Sequence, residues 1–197
     1  MSQEVKATTG TEPAPAPAPS PDHPPSTWEE FDNNPATNKI VADGVVKLCK
    51  LHNNGELWCN SSWGGWELLD SNLATIDLRF HGSQLLKLHN NGEIWYYNKT
   101  CWGHGCPEPG TWVMLDSNPD TTMIANGRDF YKLHKDGSIW LYDRSDGPWE
   151  QIDNNPATTA IEAEGNDLYQ LHDDGSILRY NYDTGGWDLA LQSSVPV

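Results

Sequence analysis

The chain has 197 residues, enough for one domain with a real hydrophobic core. Its formal net charge is −16, which argues against nucleic acid or an anionic membrane surface as partner, since neither attracts an acidic protein. No apolar run approaches the ~18 residues of a membrane span, so membrane insertion is not expected.

The N-terminus MSQEVKATTG lacks the apolar stretch of a signal peptide. The expected location is therefore the cytoplasm, or the outside by a route that needs no signal peptide. Residues 1–26 hold seven of the 14 prolines, in EPAPAPAPSPDHPP. Such a segment is extended and has nothing to bury, so it reads as a disordered tail or stiff linker.

Residues 27–197 are repetitive. Trp28 opens WEEFDNNPAT, Trp66 opens WELLDSNLAT, Trp112 opens WVMLDSNPDT and Trp149 opens WEQIDNNPAT, and Trp187 begins a fifth run, WDLALQ. These tryptophans are 38, 46, 37 and 38 residues apart, and the long interval contains the insert CWGHGCPEPG. A period near 38 signals stacked supersecondary units. Twelve residues after each Trp lies a short apolar run, at Ile40, Leu78, Ile124 and Ile161. A hairpin follows in each repeat: VKLCKLHNNGELWCN, QLLKLHNNGEIWYYN, DFYKLHKDGSIWLYD and DLYQLHDDGSILRYN. Each is two apolar arms joined by His-x-x-Gly, where the Gly takes the positive φ of a three-residue hairpin loop.

Each repeat thus offers four short strands, and helix signals are nearly absent. The expected fold is all-β, a β-propeller of about four four-stranded blades closed by terminal strands. A sandwich is the alternative, and a trefoil would need three repeats. Either the Trp28 run or the Trp187 run could close the last blade.

Placing the hairpin turn at Asn53-Asn54-Gly55 sets Cys49 opposite Cys59, close enough for a disulfide. Cys101 and Cys106 flank His104 in the insert; a loop-closing disulfide is preferred over zinc, which lacks two further ligands. The same registration sets Lys50 opposite Trp58, Lys87 opposite Trp95 and Lys132 opposite Trp140, with Gln170 and Leu178 in the fourth repeat. These are either cross-strand cation–π pairs or sugar platforms, each with a hydrogen-bonding Lys beside a flat apolar ring. His52, His89, His134 and His172 gather at one end with Asp32, Asp70, Asp116 and Asp153. Those loops read as turn chemistry, and none has the spacing of a calcium loop.

The pattern W-x-x-I-D-N-N-P-A-T … I-x-A-x-G … L-Y-Q-L-H-x-x-G-x-I resembles the tectonin and tachylectin-2-like β-propeller lectins, from Trp28 to about Leu191. The resemblance implies several similar sugar sites between blades, glycans or glycoconjugates as partners, and roles in defence or self/non-self recognition. An enzyme is not expected, because nearly every polar landmark recurs three or four times where an active site is a single asymmetric constellation. No cofactor or metal is expected. The leading reading is a multivalent lectin using Trp58, Trp95, Trp140, the three lysines and the four histidines, with a homo-oligomer compatible. The other is a protein-interaction scaffold, which would diversify its blade surfaces.

Overall fold

The computed structural model describes residues 30, 32–43, 47–61, 65–81, 84–99, 110–143 and 147–190. Trp28, Cys101 and Cys106 lie outside them, as does all of the Pro-rich segment, residues 1–26. The chain divides into two units, residues 1–34 and 35–197, and every strand belongs to the second.

That unit is a β-propeller of four antiparallel four-stranded sheets, with no helix among the described residues. The first blade contains β1 (Thr37–Ala42), β2 (Lys47–His52), β3 (Glu56–Ser61) and β4 (Gly65–Ser71). The second contains β5 (Thr75–His81), β6 (Gln84–His89), β7 (Glu93–Asn98) and β8 (Thr111–Ser117). The third contains β9 (Thr121–Asn126), β10 (Phe130–His134), β11 (Ser138–Tyr142) and β12 (Glu150–Asn154). The fourth contains β13 (Thr158–Glu164), β14 (Asp167–His172), β15 (Ile177–Asn181) and β16 (Gly186–Leu189). Each sheet is ordered as its strands occur in sequence. The Trp run therefore forms the last strand of a blade and the run twelve residues later opens the next. The Trp187 run supplies β16, which fills the last position of the fourth blade. No sheet among the described residues combines strands from both chain ends.

Blades meet through their first strands: β1 lies against β5, β5 against β9 and β9 against β13. The far ends of these four strands line one cleft of about 300 Å³, with Ala42, Phe80, Asn126 and Glu164 on its walls. Across the axis, Arg79 of β5 reaches Glu162 of β13 at 3.6 Å.

Every blade has two faces, and strand alternation assigns side chains to them. One face of each later blade turns to the blade before it, here called leading; the trailing face turns to the blade after. Trailing Cys49, Leu51, Leu57 and Cys59 of the first blade pack against leading Leu78, Phe80, Leu85 and Tyr97 of the second. Leu86, Leu88 and Ile94 then meet Ile124 and Phe130. Tyr131, Leu133 and Ile139 meet Ile161, Ala163 and Leu168. The core is thus three apolar layers between sheets, and the Cys49–Cys59 disulfide lies in the first.

Two β-bulges recur. In the inner strand an extra residue interrupts the register between Thr37 and Lys39, Thr75 and Asp77, and Thr158 and Ala160. In the outer strand the interruption falls at Leu69, Leu115 and Ile152. A bulge re-aims the residues beyond it, so Trp112 and Met114 share the leading face while Asp116 crosses to the trailing face, opposite Ile94.

The hairpin glycines have positive φ, as the loop requires, and three of them carry a second constraint. A Cβ on Gly92 would stand 1.9 Å from the Asn118 carbonyl oxygen, and one on Gly137 would stand 2.1 Å from that of Asn155. Gly175, with the same φ as Gly92, meets nothing within 4 Å. Gly175→Ala is therefore expected to cost about 1–2 kcal/mol from the left-handed backbone alone. Gly92→Ala should cost about 3 kcal/mol or more, because the turn must also part from the Asn118 loop. Urea unfolding of the two variants measures the difference.

Candidate functional site

The cross-strand pairs expected from the sequence all form: Cys49 opposite Cys59, Lys50 opposite Trp58, Lys87 opposite Trp95, Lys132 opposite Trp140, and Gln170 opposite Leu178. The His-x-x-Gly turns and the Asp-Asn loops share one end of the blades, as the Gly92–Asn118 and Gly137–Asn155 approaches require.

The lysines do not point into solvent beside a free ring. Lys50, Lys87, Lys132 and Gln170 are all buried. Their closest aromatic partner is the repeat-opening Trp of their own blade. Lys50 sits 4.2 Å over Trp66, Lys87 4.2 Å over Trp112 and Lys132 4.3 Å over Trp149. The cross-strand rings are farther, at 5.9 Å for Trp95 and 5.8 Å for Trp140. Each ammonium of the second and third blades also pairs with a carboxylate of the preceding blade: Lys87 with Asp70, and Lys132 with Asp116 at 2.7 Å. The outer-strand bulge makes this possible by delivering the Asp to the trailing face. A buried ammonium is thus held by a carboxylate from one blade and an indole face from its own. In the fourth blade Gln170 takes the position and accepts from Thr158 at 2.6 Å, leaving one oxygen of Asp153 buried without a partner.

Trp58, Trp95 and Trp140 are half-buried, and their indole N–H groups are occupied. Trp58 donates to Glu56 and Trp95 to Glu93, both at 3.1 Å, and Trp140 donates to Ser138 at 3.0 Å. The same Glu carboxylates meet His52 Nδ1 at 3.3 Å and His89 Nδ1 at 3.1 Å. His52, His89 and His134 are buried, and their Nε2 atoms have no partner. His172 is half-buried, with Asn155 at 3.3 Å. Burial pushes the His89 imidazole below its ordinary pKa, helped by the nearby Lys87 charge and opposed by Glu93. Burial likewise lowers His134, with Lys132 adding to it. Hydrogen bonds from Trp95 and His89 lower the Glu93 carboxyl.

Sequence reasoning therefore found the members of this network and their strand register. It missed the carboxylates Glu56 and Glu93, and the pairing of Lys87 and Lys132 with the previous blade's Asp. The usable signal was the recurrence of Asp70 and Lys87, and of Asp116 and Lys132, at nearly equal separations in successive repeats. No cluster of three or more His, Cys, Asp or Glu side chains able to hold a metal occurs among the described residues.

No protein-family profile matches the chain, and no curated protein does. Solved structures do match it. Prp20p from Saccharomyces cerevisiae superimposes with a TM-score of 0.55 at 9% identity, over 78% of this chain and 47% of that one. Human WBSCR16 gives 0.57 at 14% identity, over 79% and 50%. The N-terminal domain of Nup159 gives 0.55 at 11% identity, over 79% and 44%. Prp20p and WBSCR16 are β-propellers, and at these identities the likeness is one of fold. The chain spans about half the length of these three structures.

Two outcomes test the network. Asp116→Ala leaves the Lys132 ammonium buried without its carboxylate and should cost about 3–5 kcal/mol in urea unfolding. The histidines give a pH signature. A His whose folded pKa lies below its unfolded value of about 6.5 binds its proton preferentially in the unfolded chain. Its contribution is complete above that value and declines as pH falls towards the lowered folded pKa. The stability difference between wild type and a His89→Gln, His134→Gln variant should therefore shrink between pH 7 and pH 5, as measured by thermal melts across that range.

Proposed function

We propose that this chain is a non-catalytic protein-binding propeller that engages its partner at the His-turn end of the first two blades. The observation that carries the reading is the contrast between buried and exposed repeat positions. Among the residues that recur from blade to blade, the Lys and the first three His are buried, and Lys87 and Lys132 are paired with the half-buried Asp70 and Asp116. Their likeness has a structural cause and needs no repeated ligand.

Exposed positions at the same end differ. The loop residue seven after each Trp is Pro119 or Pro156 in two blades but Leu73 between the first and second. The inner-strand bulge residue is Asn38, Thr122 or Thr159 elsewhere but Ile76 in the second blade. Leu73 is 73% exposed and Ile76 45% exposed. Two large apolar side chains on one turn, in a chain of net charge −16, suit a partner with an apolar anchor and a basic rim. Among propellers of similar fold, Prp20p has binding properties to Gsp1p and histones, and it is also seen with Kap60 bound.

The sugar-binding reading rests on the tectonin-type sequence resemblance and on the half-buried Trp58, Trp95 and Trp140 rings. Their N–H groups and the neighbouring lysines are already engaged, which leaves little polar capacity for hydroxyls.

Leu73→Asp with Ile76→Asp should leave stability within about 0.5 kcal/mol, since both side chains face water. The doubly substituted protein should lose the proteins that immobilised wild type retains from a cell extract, as identified by mass spectrometry. Retention unchanged by the substitutions would refute the placement. Binding to an array glycan, with no protein retained, would replace this reading with the lectin.

A further inference from the structure

Three interfaces join four blades, and the two outer faces of the array are left over. On the leading side, position by position, Leu78, Ile124 and Ile161 are buried beneath the preceding blade, but Ile40 of β1 is 67% exposed. On the trailing side Leu51, Leu88 and Leu133 are buried beneath the following blade, as are Leu57, Ile94 and Ile139. Their counterparts in the fourth blade, Leu171 and Ile177, are 38% and 49% exposed. Among the described residues no layer of core joins the fourth blade to the first, and β13 makes no contact with β1 comparable to that of β9 with β13. Exposed side chains of this size, at positions buried in every other blade, are the two halves of a fourth interface.

We propose that two copies of this chain join head to tail, each fourth blade seating its trailing face on the other copy's first blade, to close one ring of twice four blades. The complementarity is already present in the structure. Leu133 and Ile139 meet Ile161 inside the chain, and Leu171 and Ile177 would meet Ile40 in the same way. The blade-to-blade geometry also fits, because the four blades superimpose on about half of larger propeller chains. Two such halves leave no free face. The assembly has two-fold symmetry and buries both interfaces together, so that each holds the other at high effective concentration.

Light scattering on the full chain at tens of micromolar should give twice the chain mass of 22.0 kDa. Ile40→Glu and Ile177→Lys alter residues that face water in a single copy, so each variant should fold, as judged by circular dichroism. Each should drop to the single-chain mass. Mixing the two variants should restore a dimer, since a mixed pair has one unaltered interface and one in which an acid meets a base. A wild type of single-chain mass would overturn the proposal. So would a double mass that survives both substitutions, or a mixture that stays at single-chain mass while both variants are folded.

Discussion

A four-stranded sheet that carries apolar side chains on both faces cannot stand alone in water. Each blade here solves half of that problem with its predecessor and half with its successor. Everything else in the fold serves this stacking. The short turns keep the strands consecutive. The inner strands bring the sheets together around an axis, and the outer strand supplies the Trp that caps each apolar layer: Trp112, Trp149 and Trp187 pack against the three layers in turn. The polar groups obey the same constraint. An ammonium between two sheets has lost its water, so it must be given a carboxylate and a ring face, and those come from two different blades.

The period-two pattern and the Gly-marked turns were enough to place all four hairpins, their opposed residues and the order of strands. That register also sets Cys49 opposite Cys59 without deciding their redox state, and the structure joins them in a disulfide. Contacts between blades were less legible. Alternation puts Trp112, Met114 and Asp116 on one face, and a bulge at Leu115 moves Asp116 to the other. A bulge has no composition signature in this strand, so the Lys132–Asp116 pair could not be read from alternation. For the same reason Lys87 was assigned to Trp95, its direct cross-strand neighbour, when Trp112 lies closer to its ammonium.

Repetition misled in an instructive way. Four copies of a His-turn with nearby Asp and Trp look like four copies of a binding site. In the structure they line three joints between blades, two of which are pinned by a Lys–Asp pair. Leu73 and Ile76, which set the second blade apart at this end, are exposed and no joint uses them. In a repeat protein, sequence likeness marks what the repeats do for one another, and unlikeness marks what they do for anything else.

The joints are not equal, and this gives the array a direction. The first interface contains the Lys87–Asp70 pair, on a blade whose own β2 and β3 are joined by the Cys49–Cys59 disulfide. The second contains Lys132–Asp116, and the third has Gln170 with an Asp153 oxygen left bare. Cohesion in a single copy therefore falls from the N-terminal blades to the C-terminal one. Thermal fraying should start at the fourth blade and travel inward, with the amide protons of β14 and β15 exchanging before those of β2 and β3. A molecule assembled from near-identical parts thus has a weak end, where Gln170 stands in the position of the buried Lys.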